Sequence, residues 1–193
     1  MTELTKLIPK KPFDRGRMHR LAEQLNWIPV ALDPSDDDQI FEEVWALGDY
    51  GTAVHWIEDD VFRVHYIAIE GESASQVTAE IRDNVEVHTP SSLTDLAISQ
   101  RETSDVMDSL RMLAIQSSEE FNPALFAVIR WALNDPEPVV RRVALLASSI
   151  MSWKQLDPLL EYLSQHETDE VVRAEARESL KIFRDRITNS PTT

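Results

Sequence analysis

The chain has 193 residues, 42% of them apolar, no cysteine and a formal net charge of −15. The apolar share suffices for a globular core, and the missing cysteines exclude disulfides, thiolate metal sites and a cysteine nucleophile. The acidity is uneven: residues 1–20 sum to +4, residues 21–119 to −17 and residues 120–193 to −2. A field of that sign repels nucleic-acid backbones and anionic lipid and attracts basic proteins. No window has the apolar length of a membrane span, and the N-terminus lacks the apolar stretch of a signal peptide. The expected setting is therefore cytoplasmic, with no membrane and no nucleic-acid partner.

Residues 1–13 read as an N-terminal arm, with Pro9 and Pro12 as breakers. Residues 14–90 read as a small α+β unit. Its first helix, 14–25, lines up Met18, Leu21, Ala22 and Leu25 on one side. Arg15, Arg17, His19 and Arg20 form either a basic strip or an ordinary solvated face. Asp33-Pro34-Ser35-Asp36-Asp37-Asp38 reads as the acidic start of a second helix. That helix would run to about Leu47 and bury Ile40, Phe41, Val44 and Trp45. A calcium loop does not fit, because Asp38 stands where the turn glycine belongs and Val44 where the closing glutamate belongs.

Thr52–Glu58 and Val61–Ile69 read as a β-hairpin on a two-residue turn, Asp59-Asp60. In that register Ala53, His55 and Ile57 share the core side with Phe62, Val64 and Tyr66. Val54, Trp56, Arg63, His65 and Ile67 take the opposite side. His55 and His65 then point to opposite faces and cannot share a metal. A helix at 73–83, with Val77 and Ile81 inward, and a short strand at 85–88 complete the unit. Thr89-Pro90-Ser91-Ser92 is the natural boundary.

All four glycines precede residue 72, and residues 91–187 read as helices alone. Leu93–Ile98 and Glu102–Gln116 come first, the latter with Val106, Leu110, Leu113 and Ala114 in line. A helical hairpin follows. Pro123 opens its first helix, which carries Phe126, Ile129, Ala132 and Leu133 on one face. Asp135 caps its second helix with Pro136 in the first position, and positions 140, 143, 144, 147 and 151 form its apolar face. A second hairpin repeats the plan. Leu156, Leu159, Leu160 and Leu163 form its first helix, with Pro158 in the first turn. Val172, Ala176, Leu180, Phe183 and Ile187 form its second. Residues 188–193 are expected to be a disordered tail.

The pairs Val140-Arg141 and Val172-Arg173 lie 32 residues apart, and Ala144 and Ala176 keep that offset. A period in this range marks stacked helical repeats, whose hairpins bury their apolar faces only against one another. With Asp135 and Asp169 near the turns, these positions resemble the HEAT family of helical repeats. The resemblance implies a mainly α fold, with a short HEAT-like α-solenoid following the α+β unit, used mostly for protein–protein contact. It also implies that Arg141 and Arg173 pair with Asp135 and Asp169 in a ladder along the stack.

No Gly-rich phosphate loop, Gly-x-Ser-x-Gly or His-Glu-x-x-His is present, and the five histidines are scattered. No catalytic residue, cofactor or metal is expected. The first functional expectation is a non-enzymatic adaptor that binds another protein along the repeats, with Arg142, Arg177, Lys181 and Arg184 as candidate contacts. Arg173, Arg177, Lys181 and Arg184 fall at i, i+4, i+8 and i+11 on the last helix. Trp131 and Trp153 are either interface anchors or core. An alternative is an acidic inhibitor or immunity-type protein. Its Asp36, Asp37, Asp38, Glu42, Glu43, Asp59 and Asp60 would cover a basic site on a toxin or nuclease, in a salt-sensitive way. A second alternative is a ligand-binding or lyase-like HEAT-repeat enzyme with a deep pocket.

Overall fold

Val54 and Trp56 on one strand, and Ile67 and Ile69 on its neighbour, have no exposed surface. Their alternate spacing, with the side-chain period of two, places them on one face of a sheet. In the computed structural model the sheet has five antiparallel strands, β1 (Thr5–Leu7), β2 (Ile28–Asp33), β3 (Ile40–Ala46), β4 (Thr52–Asp59) and β5 (Val64–Gly71). Their spatial order is β1-β5-β4-β3-β2. The structure describes residues 4–10, 12–33, 40–48, 51–100, 102–118, 120–151 and 153–189, without the side chains of 31–33 and 187–189.

Two helices cover that face, α1 (Arg15–Gln24) and α2 (Ala74–Asn84). Met18, Leu21 and Ala22 from α1 and Val77 and Ile81 from α2 join Trp45, Val54, Trp56, Ile67 and Ile69 in one core. The Asp14 carboxylate caps α1 by accepting the Arg17 N–H at 2.8 Å. Asn26, at φ 56°, turns the chain out of α1, and the Trp27 N–H then donates to the Ala22 carbonyl at 2.9 Å.

Five expectations for this part are corrected. Residues 40–46 are a strand, not the end of a helix. The pattern Ile40, Phe41, Val44, Trp45 suits a helix, but each of those residues pairs across to β4. Residues 5–7, expected within an arm, form β1, with Thr5 opposite Ile69. The hairpin turn spans 60–63 rather than two residues; Asp59 faces Val64, and Arg63 takes the left-handed φ of 54°. That shifts each partner by four positions, takes Phe62 and Arg63 out of the strand and leaves the other face memberships unchanged, with His55 opposite Ala68 and His65 opposite Glu58. The helix-covered face, however, is the one with Val54, Trp56 and Ile67, not the one with Ala53, His55 and Ile57. At 85–88 only an isolated bridge forms, Val87 with Pro9.

The remaining chain is helical: α3 (Pro90–Ser99), α4 (Thr103–Gln116), α5 (Pro123–Ala132), α6 (Pro138–Ile150), α7 (Asp157–His166) and α8 (Glu170–Asn189), with a 3-10 turn at Lys154–Leu156. The chain divides into two compact units, Met1–Thr89 and Pro90–Thr193. Within the second, α3 pairs with α4, α5 with α6 and α7 with α8, while α4 packs on α6 and α6 on α8. Ala144 and Ala176, the small residues of the 32-residue offset, are fully buried in those second helices. Asn122 caps α5, with Pro123 in its first turn. The α6 helix begins two residues later than expected. Glu137 is its N-cap and Pro138 its first-turn proline, while the Asp135 carboxylate accepts the Glu137 N–H at 2.9 Å.

Candidate protein-interaction surfaces

The turns of the last two hairpins share one arginine geometry. Arg141 Nη1 donates to the carbonyl of Asp135, six residues back, at 2.7 Å. Arg173 Nη1 donates to the carbonyl of Glu167, also six residues back, at 2.9 Å. By this geometry the residue matching Asp135 is Glu167, 32 positions on, rather than Asp169. The ladder carboxylate is also Glu167: Arg141 Nε and Nη2 grip it from the preceding hairpin at 2.9 and 3.0 Å. Asp169 instead caps α8, accepting the N–H groups of Val171 and Val172 at 2.9 and 3.0 Å. The expected pairing of Arg141 and Arg173 with the carboxylates of Asp135 and Asp169 is therefore corrected. Asp135 stands three residues before the start of α6 and Glu167 three before the start of α8, so the matching acid is Glu167 and not Asp169. Burial alone would raise the Glu167 carboxyl, but the Asp169 N–H, the Arg141 guanidinium and the Thr168 N–H together hold it below its ordinary value.

The four candidate cations have different surroundings. Arg142 is clamped on Glu175 of the next hairpin, with its shortest hydrogen bond 2.6 Å. Arg184 grips Asp157 at 2.7 and 3.0 Å and Glu161 at 3.1 Å, joining α8 to α7. The Arg184 hydrogen bonds hold the Asp157 carboxyl below its usual range. Arg177 donates to the Ser164 carbonyl at 3.2 Å near the end of α7, where a cation suits the helix dipole. Lys181 is exposed and forms no ion pair among the described residues. Trp153 is core, its indole N–H donating to the Glu120 carbonyl at 3.1 Å. Trp131 on α5 and Tyr162 on α7 are 47% and 60% exposed. Tyr162 stacks on His166 with ring centroids 4.6 Å apart.

The acidic candidates do not gather on one face. Strand alternation turns Glu43 toward the helices and Glu42 and Asp59 to the other side. Glu42 Oε1 lies 2.7 Å from His55 Nδ1, and the Glu70 carboxylate lies 3.7 Å from the other ring nitrogen. Asp59 accepts the Phe62 N–H at 2.8 Å and shapes the hairpin turn. Asp60 is exposed in that turn. Asp36, Asp37 and Asp38 lie outside the described residues.

Sequence reasoning missed the way α1 is fastened to the sheet. Arg15 donates to Glu58 at 3.1 and 2.7 Å, its guanidinium lies 3.5 Å from the Phe41 ring centroid, and the Trp56 indole N–H reaches the same carboxylate at 2.8 Å. The Arg15 hydrogen bonds hold the Glu58 carboxyl below its ordinary value, against the opposing effect of burial. Only the i, i+4 spacing of Arg15 and His19 hinted at it. Among the described residues, two clefts flank α1. One, of about 460 Å³, includes Lys10, Arg17, Arg20 and Glu86. The other, of about 480 Å³, includes His19, Trp27, Glu43 and Trp45. Among the described residues no three His, Asp or Glu side chains converge as metal ligands, and no helix is long and apolar enough to cross a membrane.

Paired helices with a repeated turn arginine define a helical-repeat protein in the C-terminal half. Residues 97–181 match the family model for HEAT repeats, from within α3 to within α8. That bears out the resemblance carried by Val140, Arg141 and Ala144 and by Val172, Arg173 and Ala176. HEAT repeats generally serve as protein-interaction scaffolds. No curated protein and no solved structure matches the chain.

Proposed function

We propose that the protein is a non-enzymatic, cytoplasmic adaptor whose three hairpins stack as a short α-solenoid and hold a second protein. The observation that carries this reading is the HEAT-repeat match over hairpins in which Arg141 and Glu167 pair internally while Trp131 and Tyr162 face outward. The Arg141–Glu167 pair rigidifies the stack and leaves the surface to a partner. Trp131 and Tyr162 are large, stiff side chains of the kind that anchor interfaces. Among the cations, Arg142 and Arg184 would have to leave Glu175 and Asp157 to meet a partner. The larger share of acidic recognition therefore falls to Arg177 and Lys181.

The test is capture from native cell extract with the tagged chain, washed at low and then high salt. A stoichiometric protein that survives high salt, and is lost from Trp131→Ala or from Arg177→Glu with Lys181→Glu, supports the adaptor. Equal capture by all these variants rejects the repeat surface as its site.

A further inference from the structure

The α1 helix and β3 meet twice in related ways. At the first meeting a cation, Arg15, is clamped by a carboxylate, Glu58, and an aromatic face, Phe41. One helical turn later His19 stands where Arg15 would repeat. Glu43, two residues beyond Phe41 on the same face of β3, lies 2.7 Å from His19 Nε2. The His19 and Trp45 rings meet edge-on, 5.7 Å between centroids. His19 engages only Oε2 of Glu43, and the other oxygen, Oε1, has no hydrogen-bond partner among the described residues. Glu43 is nonetheless 8% exposed.

A cleft of about 480 Å³ opens at this point, with Glu43 and Glu23 as its acids and Trp27 and Trp45, only 7% and 6% exposed, among its lining residues. Its volume suits a side chain or small ligand. The oxygen that His19 leaves open can accept from a donor that enters the cleft. The group that satisfies both the carboxylate and the indoles is a planar cation with several N–H donors. Guanidinium pairs with carboxylates through a fork and stacks on aromatic rings, whereas ammonium does neither as well. The net −10 of residues 1–89 draws a basic partner toward this unit. Val30, 55% exposed on the edge strand β2, gives the cleft an open apolar rim for the arginine stem.

We infer that this cleft receives an arginine side chain of a basic protein partner, clamped between the Trp27 and Trp45 indoles and the Glu43 carboxylate. The site lies within the first unit and is independent of the repeat surface. The test uses the full chain and two tripeptides, acetyl-Gly-Arg-Gly-amide and its citrulline counterpart, which keeps the shape and loses the charge. The indole N–H resonances of the five tryptophans, assigned by Trp→Phe substitutions, report binding. The expected result is a saturable shift confined to Trp27 and Trp45, at least tenfold weaker for citrulline and for Glu43→Gln. Should Glu43→Gln fail to fold, Glu23→Gln is expected to weaken binding several-fold, and the peptide comparison on the unaltered chain stands alone. No shift at Trp27 and Trp45, or equal shifts with both peptides, would overturn the assignment.

Discussion

Arg141 on α6 and Glu167 at the start of the following hairpin's turn form a two-pronged ion pair, 2.9 and 3.0 Å long, across 26 residues of chain. Their side chains are only 11% and 6% exposed. Arg141 also holds two carbonyls of its own turn, Asp135 and Pro136. One guanidinium therefore fixes a turn and ties it to the next hairpin.

Removing one partner of such a pair leaves a buried charge without compensation. Arg141→Ala is expected to destabilise the helical unit by about 3–5 kcal/mol. Urea unfolding followed by circular dichroism measures this. The double variant with Glu167→Gln should recover part of the loss, because no carboxylate is then stranded.

The same pair sets an acid limit. The folded Glu167 carboxyl lies below its ordinary value of 4.5. A depressed carboxyl contributes stability that is present above the unfolded value and lost as pH falls through the folded one. Acidification below about pH 4.5 should therefore erode stability, and Glu167→Gln should flatten that slope. Identical slopes in the two chains would contradict it.

At the alkaline end the sign reverses. Burial, aided by the carboxylates of Asp59 and Glu42, pushes the Tyr66 phenol up to about 12. Its contribution is complete below the ordinary value of 10.0 and is lost as pH climbs through about 12. In an ultraviolet titration, Tyr66→Phe should remove a phenol that ionises near pH 12 and should lessen the alkaline loss of stability.

Gly71 ends β5 at a φ of +117°, and a Cβ there would overlap the Gly51 carbonyl oxygen. Gly71→Ala should destabilise by at least the ~1–3 kcal/mol of backbone strain alone. Gly48 is the control, with nothing within 4 Å of an added Cβ. Gly48→Ala should stay within about 0.5 kcal/mol of the parent chain.

The repeats were legible because helix signals act locally. Pro123 and Pro158 mark starts, and the 3.6-residue spacing of Val140, Ala144 and Ala147 marks a face. The ladder acid was not legible, since Glu167 reaches Arg141 only after the hairpins stack. In the first unit, Ile40, Phe41, Val44 and Trp45 satisfy a helical pattern, and the acidic run before them mimics a helix start. Pairing with β4, a non-local event, decides for the strand. The core side of the hairpin is not legible from the pattern, because both faces are rich in apolar residues. Position decides between them: α1 and α2 lie on the side of Trp56. The Glu43 cleft had no local signal, because its walls come from α1, β2 and β3 together.

The most direct measurement is amide hydrogen exchange on the chain with and without its captured partner. The adaptor reading predicts new protection in α5 through α8, centred on Trp131, Tyr162 and Lys181. Protection confined to residues before Pro90, with the repeat helices exchanging as in the free chain, would contradict it.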